Sequence, residues 1–152
     1  MNNRRSIRLK GFDYSQKGYY FVTIAVKNKW KLFWNIVGAD SYIRPNEMGL
    51  MIEKSILEIP KFYPGILINE YVVMPDHIHL IIKIDGSTIS LSEIIQRFKI
   101  LSTNRYIDGV KNHNWPRFNK RLWQRDYYEE IIRNENELEI VKKYIRDNPK
   151  KL

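Results

Sequence analysis

The chain has 152 residues, 43% of them hydrophobic, with 26 Lys and Arg against 17 Asp and Glu for a formal charge of +9. That is apolar content for one domain spanning 1–152, and no run approaches the roughly 18 uninterrupted apolar residues a membrane span needs. The basic start MNNRRSIRLK is not followed by the apolar run of a secretory leader, and without Cys there is no disulfide framework, thiolate metal site or cysteine nucleophile. A cytoplasmic protein with no membrane partner is expected.

The charge is uneven. Residues 1–31 hold eight cations against Asp13, residues 32–114 are nearly neutral, and residues 115–152 hold ten cations against seven anions. Residues 1–18 read as a basic arm carrying Arg4, Arg5, Arg8 and Lys10, with Phe12, Tyr14, Tyr19 and Tyr20 in and beside it. Cations interleaved with aromatics suit a phosphate backbone and unstacked bases. A solvated basic face that only aids solubility is the plain alternative.

In chain order, aromatic and β-branched residues predict a strand over 19–26. Met48, Ile52, Ile56 and Ile59 share one helical face, which predicts a helix over 48–62 that frays at Pro60. Two strand-like runs, 67–74 and 77–84, are separated by Pro75-Asp76 and predict an antiparallel hairpin. Ser90 and Glu93 form a capping box, so a second helix starts there and runs to about Tyr106. Residues 108–121, with Gly109, Asn112, Asn114 and Pro116, read as a loop, and 122–128 as a fourth strand. Asn134 caps a last helix whose acidic residues come early and basic ones late, and Pro149 stops it at or before Asn148. The order β-α-β-β-α-β predicts an α+β protein, a ferredoxin-like split βαβ antiparallel sheet with an added C-terminal helix. Two helices cover one sheet face and leave the other to the last helix or a ligand.

Two of the three His stand in His77-Ile78-His79. Strand alternation puts both imidazoles on one face while Ile78, Leu80, Ile82 and Ile84 point to the core. Two ligands make no metal site, so a third is required. Tyr144 and Asn148 are four residues apart on the last helix and share its side. The Asn148 carboxamide oxygen with His77 and His79 suits Mg²⁺ or Mn²⁺, with positions left for water and a phosphate oxygen. Tyr144 then lies one turn away, and a phenolate can attack a phosphate polarised by such an ion. Tyr127 and Tyr128 are the competing nucleophiles. Asp76 is the competing ligand, although alternation points it away from the His face if the strand extends that far.

These segments carry a family resemblance. Arg4-Arg5-Ser6-Ile7-Arg8-Leu9, Tyr20-Phe21-Val22-Thr23-Ile24, Val72-Val73-Met74-Pro75-Asp76-His77-Ile78-His79, Trp123-Gln124-Arg125-Asp126-Tyr127-Tyr128-Glu129, Ile132-Arg133-Asn134 and Tyr144-Ile145-Arg146-Asp147-Asn148-Pro149 together resemble the REP-associated tyrosine transposases. These are relatives of the single-tyrosine HUH transposases of the smallest insertion sequences. The resemblance covers nearly the whole chain and implies a ferredoxin-like fold, with metal-dependent cleavage and rejoining of single-stranded DNA at hairpins of palindromic repeats. It implies metal ligands at His77, His79 and Asn148, the nucleophile at Tyr144, and a 5′-phosphotyrosine product with a free 3′-OH. The protein would act as monomer or homodimer. One departure is Glu130, where members often carry His.

Two rivals come from other classes. A four-stranded sheet of this plan is also a platform on which RNA-recognition domains stack bases, but their Gly-aromatic signature is missing and His occupies the expected stacking positions. A metal hydrolase that activates water would use the same ligands.

Overall fold

The structure is a computed structural model and describes residues 18–35, 44–86 and 89–151. The expected basic arm, including Arg4, Arg5, Arg8 and Lys10, lies outside the described residues.

Four strands, β1 (Gly18–Ala25), β4 (Ile66–Val73), β5 (His77–Ile84) and β6 (Tyr128–Ile132), form one sheet in the order β4-β5-β1-β6. Every neighbouring pair is antiparallel. A separate two-stranded ladder joins β2 (Trp34–Asn35) to β3 (Arg44–Pro45). With α1 (Glu47–Leu57) after β1 and α3 (Leu91–His113) between β5 and β6, the main sheet has the expected split βαβ plan. Ile78, Leu80, Ile82 and Ile84 alternate to one face and pack with Tyr20, Val22 and Ile24 of β1, Ile52 and Ile56 of α1, and Ile94, Ile95 and Phe98 of α3.

The opposite face is covered by α4 (Glu135–Asp147). Leu138 and Ile145 of that helix cluster with Ile81 and Ile132 of the sheet, and Arg146 pairs with Glu70 of β4 at 3.2 Å. Asn134 caps α4 by accepting from the Glu137 amide. The helix stops at Asp147 and gives way to a 3-10 turn, Asn148–Lys151. The His-bearing face is therefore not an open platform, and His79 retains only 5% of its accessible surface.

Three sequence expectations need correction. Pro60 does not fray a single helix: α1 ends at Leu57, and Pro60 sits in the first turn of a short α2 (Ile59–Phe62), where its missing N–H costs nothing. The second main helix does not stop near Tyr106. It runs to His113 because the apparent breakers have helical uses: a Cβ at Gly109 would lie 2.0 Å from the Trp115 ring, and Asn114 is the left-handed C-cap. Asn112 meanwhile donates to Asp108 one turn back. The last strand is Tyr128–Ile132 in place of 122–128, since Leu122 and Trp123 are core anchors whose backbone makes an isolated bridge, Trp123 to Val26 just past the end of β1. Among the described residues no helix is long and apolar enough to cross a membrane.

Candidate active site

Met74 N donates to His77 O at 2.8 Å and closes the tight connection that launches β5. Register then sets Ala25 opposite His77 and Thr23 opposite His79, so β1 supplies the side chains beside both imidazoles. The His79 ring stacks on Phe21 with centroids 5.5 Å apart. From above, α4 lowers Tyr144 onto the same ring at 5.4 Å. Tyr144 remains 44% exposed, which suits a side chain that meets a ligand from solvent.

Hydrogen bonds orient each imidazole. His77 Nδ1 lies 2.6 Å from Asp76 Oδ1. An ionised carboxylate only accepts, so Nδ1 carries a proton; when the ring is neutral, its lone pair is on Nε2, the nitrogen turned toward His79. Burial pushes the Asp76 carboxyl up, but the His77 hydrogen bond and charge, its own backbone amide and Lys31 outweigh that and hold it below its ordinary value. His79 Nδ1 lies 2.8 Å from Thr23 Oγ1, and a hydroxyl can either donate or accept there.

The two Nε2 atoms are 3.1 Å apart. With Nδ1–H on both rings, two lone pairs face each other, an arrangement that a shared proton or a metal ion between them relieves. Two nitrogens about 2.1 Å from one ion on adjacent octahedral positions would be about 3.0 Å apart, so the pair fits a divalent ion. Outer partners at both Nδ1 atoms are also what metal-ligating imidazoles have. Without an ion, Thr23 can donate to His79 Nδ1 while His79 Nε2–H donates to His77.

A cavity of about 220 Å³ opens over the pair, lined by Thr23, Ala25, Lys29, Asp76, His77, His79 and Tyr144. The structure thus brings His77, His79 and Tyr144 together. Asn148 is one turn beyond Tyr144, where its amide Nδ2 donates to Tyr144 O at 3.3 Å, and it is not among the residues lining that cavity. Among the described residues no three His, Cys, Asp or Glu form a metal-holding group. Asp76 departs from expectation: it belongs to the turn before β5, where strand alternation does not apply, and folds back on His77.

The competing tyrosines are otherwise engaged. Tyr127 packs against the main core with the Lys99 ammonium 5.5 Å from its ring centroid. Tyr128 donates to Glu130 at 2.9 Å, and burial, that hydrogen bond and the Glu130 charge push its hydroxyl up to about 12. Sequence reasoning missed Thr23, Phe21 and Lys29. The first two follow from the β1–β5 register once it is known, and nothing local marks the third.

Three comparisons bear on this geometry. A family model described as "Transposase IS200 like" matches residues 15–148. An uncharacterized protein of Haemophilus influenzae is 34% identical over 98% of this chain and 89% of its own length. Among solved structures, a REP-associated tyrosine transposase bound to a REP hairpin superposes with a TM-score of 0.66 at 24% identity, covering 99% of this chain and 74% of that one. A putative transposase from Deinococcus radiodurans gives 0.59 at 18%, covering 93% and 96%.

Proposed function

Because the chain belongs to the family of IS200-like transposases, we propose that it is a single-tyrosine HUH enzyme that cleaves and rejoins single-stranded DNA at hairpin sites. The observation that carries this reading is the convergence of Tyr144 on an imidazole pair whose Nε2 atoms lie 3.1 Å apart. The solved relative bound to a REP hairpin supports hairpin DNA as the partner.

His77 and His79 would hold a divalent ion, Mg²⁺ or Mn²⁺, with the Asn148 carboxamide oxygen as third protein donor. When bound, such an ion draws electron density from the scissile phosphate. Asp76 and Thr23 keep the two rings in orientation. Tyr144 Oη gives up its proton to water and forms the new bond to phosphorus, while the bond from phosphorus to O3′ breaks and that oxygen takes up a proton from water. The products are a 5′-phosphotyrosine and a free 3′-OH, and attack by a second 3′-OH reverses the step and joins strands. Arg4, Arg5, Arg8 and Lys10 would track the backbone of the DNA. The α4 cover over the His-bearing face disfavours a base-stacking platform, because the rings at those positions are already packed.

The test is incubation with labelled single-stranded hairpins and Mn²⁺, followed by a denaturing gel. A protein–DNA adduct in wild type, absent without divalent metal and absent in His79→Ala, is expected. Cleavage with no adduct would instead identify a hydrolase.

A further inference from the structure

Lys29 reaches the histidine cavity through backbone that its residue type does not favour. Its φ is +54° and that of Asn28 is +60°, two successive non-glycine residues in the left-handed region. Asn accepts that region readily, whereas Lys does not, and Gly would hold the same turn without strain.

The segment is also clamped. Val26 N donates to Asp76 O at 2.9 Å, Lys29 N to Val26 O at 2.9 Å, and Phe33 N to Pro75 O at 3.0 Å. Both ends of 26–33 are thereby fixed to the turn from which His77 emerges. The neighbouring Lys27 points elsewhere and donates to Asn119 O at 3.0 Å. Among the described residues, Lys29 is the one lysine or arginine that lines the His77, His79 and Tyr144 cavity, where it is exposed to solvent. The lining carboxylate, Asp76, is engaged by His77, and the Lys29 ammonium has no hydrogen-bond or ion-pair acceptor among the described residues. A cation carried on a strained, clamped turn at the edge of the cavity that Tyr144 also lines, with no acceptor among the described residues, is placed to meet an anion from outside.

We infer that the Lys29 ammonium binds the non-bridging oxygens of the scissile phosphodiester and stabilises the charge that grows there as Tyr144 attacks. The inference rests on the reading of Tyr144 as nucleophile. In that step Tyr144 Oη loses its proton to water, the Tyr144 Oη–P bond forms, the P–O3′ bond breaks and O3′ takes a proton from water. Lys29 keeps its proton throughout and acts as a catalytic residue by charge alone.

The test uses the full chain and the hairpin oligonucleotide that wild type cleaves or, failing cleavage, binds most tightly from a pool with randomised flanks. Lys29→Gln is expected to slow single-turnover adduct formation about 100-fold, and Lys29→Arg to recover most of that loss. Lys29→Gly should slow it as Gln does without lowering the melting temperature, because it relieves the backbone. A Gln variant within twofold of wild type, or losses that merely track loss of folded protein, would overturn the inference. A second readout needs no cleavage: in a Tyr144→Phe background, Lys29→Gln should make the salt slope of hairpin binding shallower by about 0.7. An unchanged slope overturns the phosphate contact even where adduct forms. A reduced slope with no adduct in wild type upholds the contact and refutes the tyrosine reading.

Discussion

Thr23 and His79 face each other across β1 and β5, with the Thr23 hydroxyl 2.8 Å from His79 Nδ1 and the opposite ring nitrogen aimed at His77. Neither residue is near the other in sequence, yet this pair decides which tautomer His79 presents to the cavity.

Thr23→Val keeps the branched shape and removes the hydroxyl. Losing such an outer partner is expected to weaken Mn²⁺ binding about 10- to 100-fold, measured by calorimetry, while Thr23→Ser stays close to wild type. Equal affinities in all three proteins would show that the hydroxyl does not orient the ring.

The Asp76 carboxyl sits below its ordinary value of 3.8 in the folded protein. Its ionised form is therefore favoured by folding, and that stability is fully present above the ordinary value and lost as pH falls through the lower folded one. Urea unfolding between about pH 2 and 6 should show wild type losing stability in acid more steeply than Asp76→Asn. Parallel curves would count against the Asp76–His77 pairing.

Gly109 lies inside α3 against the Trp115 ring, where a Cβ would come within 2.0 Å of a ring carbon. Gly109→Ala is expected to destabilise by about 1–3 kcal/mol through overpacking, despite the better helix propensity of Ala. A raised melting temperature would mean that the ring moves aside freely. Adduct yield per folded molecule should not change, since this contact is remote from the histidine cavity.

Ile145 is fully buried beneath α4, next to Tyr144. Ile145→Ala should cost about 2–5 kcal/mol by the usual price of a buried large-to-small change, read from chemical denaturation. It should also slow adduct formation, because the helix that carries Tyr144 is seated by that side chain. Full adduct rate with lowered stability would show that α4 docking does not position the tyrosine.

Much of the fold was legible because its signals are local. The alternating run 77–84 coincides with β5, the Ser90 and Asn134 caps coincide with helix starts, and the pairing of His77 with His79 on one face follows from a period of two. What was not legible depends on tertiary contacts. Gly109 looks like a breaker until Trp115 packs on it, and β6 hides its alternation behind Glu129, which is buried on the core face. At the site, Tyr144 and the histidines can be named from spacing, but Thr23 and Lys29 enter only through cross-strand register and an unusual turn. The burial of His79 likewise follows from α4 docking, which no residue near His79 announces.

The most direct test of the account is to digest the covalent adduct with protease and nuclease and locate the nucleotide on the peptide by mass spectrometry. A 5′-phosphonucleotide on the Tyr144 peptide, lost in Tyr144→Phe while that variant still binds hairpin DNA, is the predicted result. A nucleotide on Tyr127 or Tyr128, or an adduct that survives Tyr144→Phe, would contradict the assignment of Tyr144 as the nucleophile.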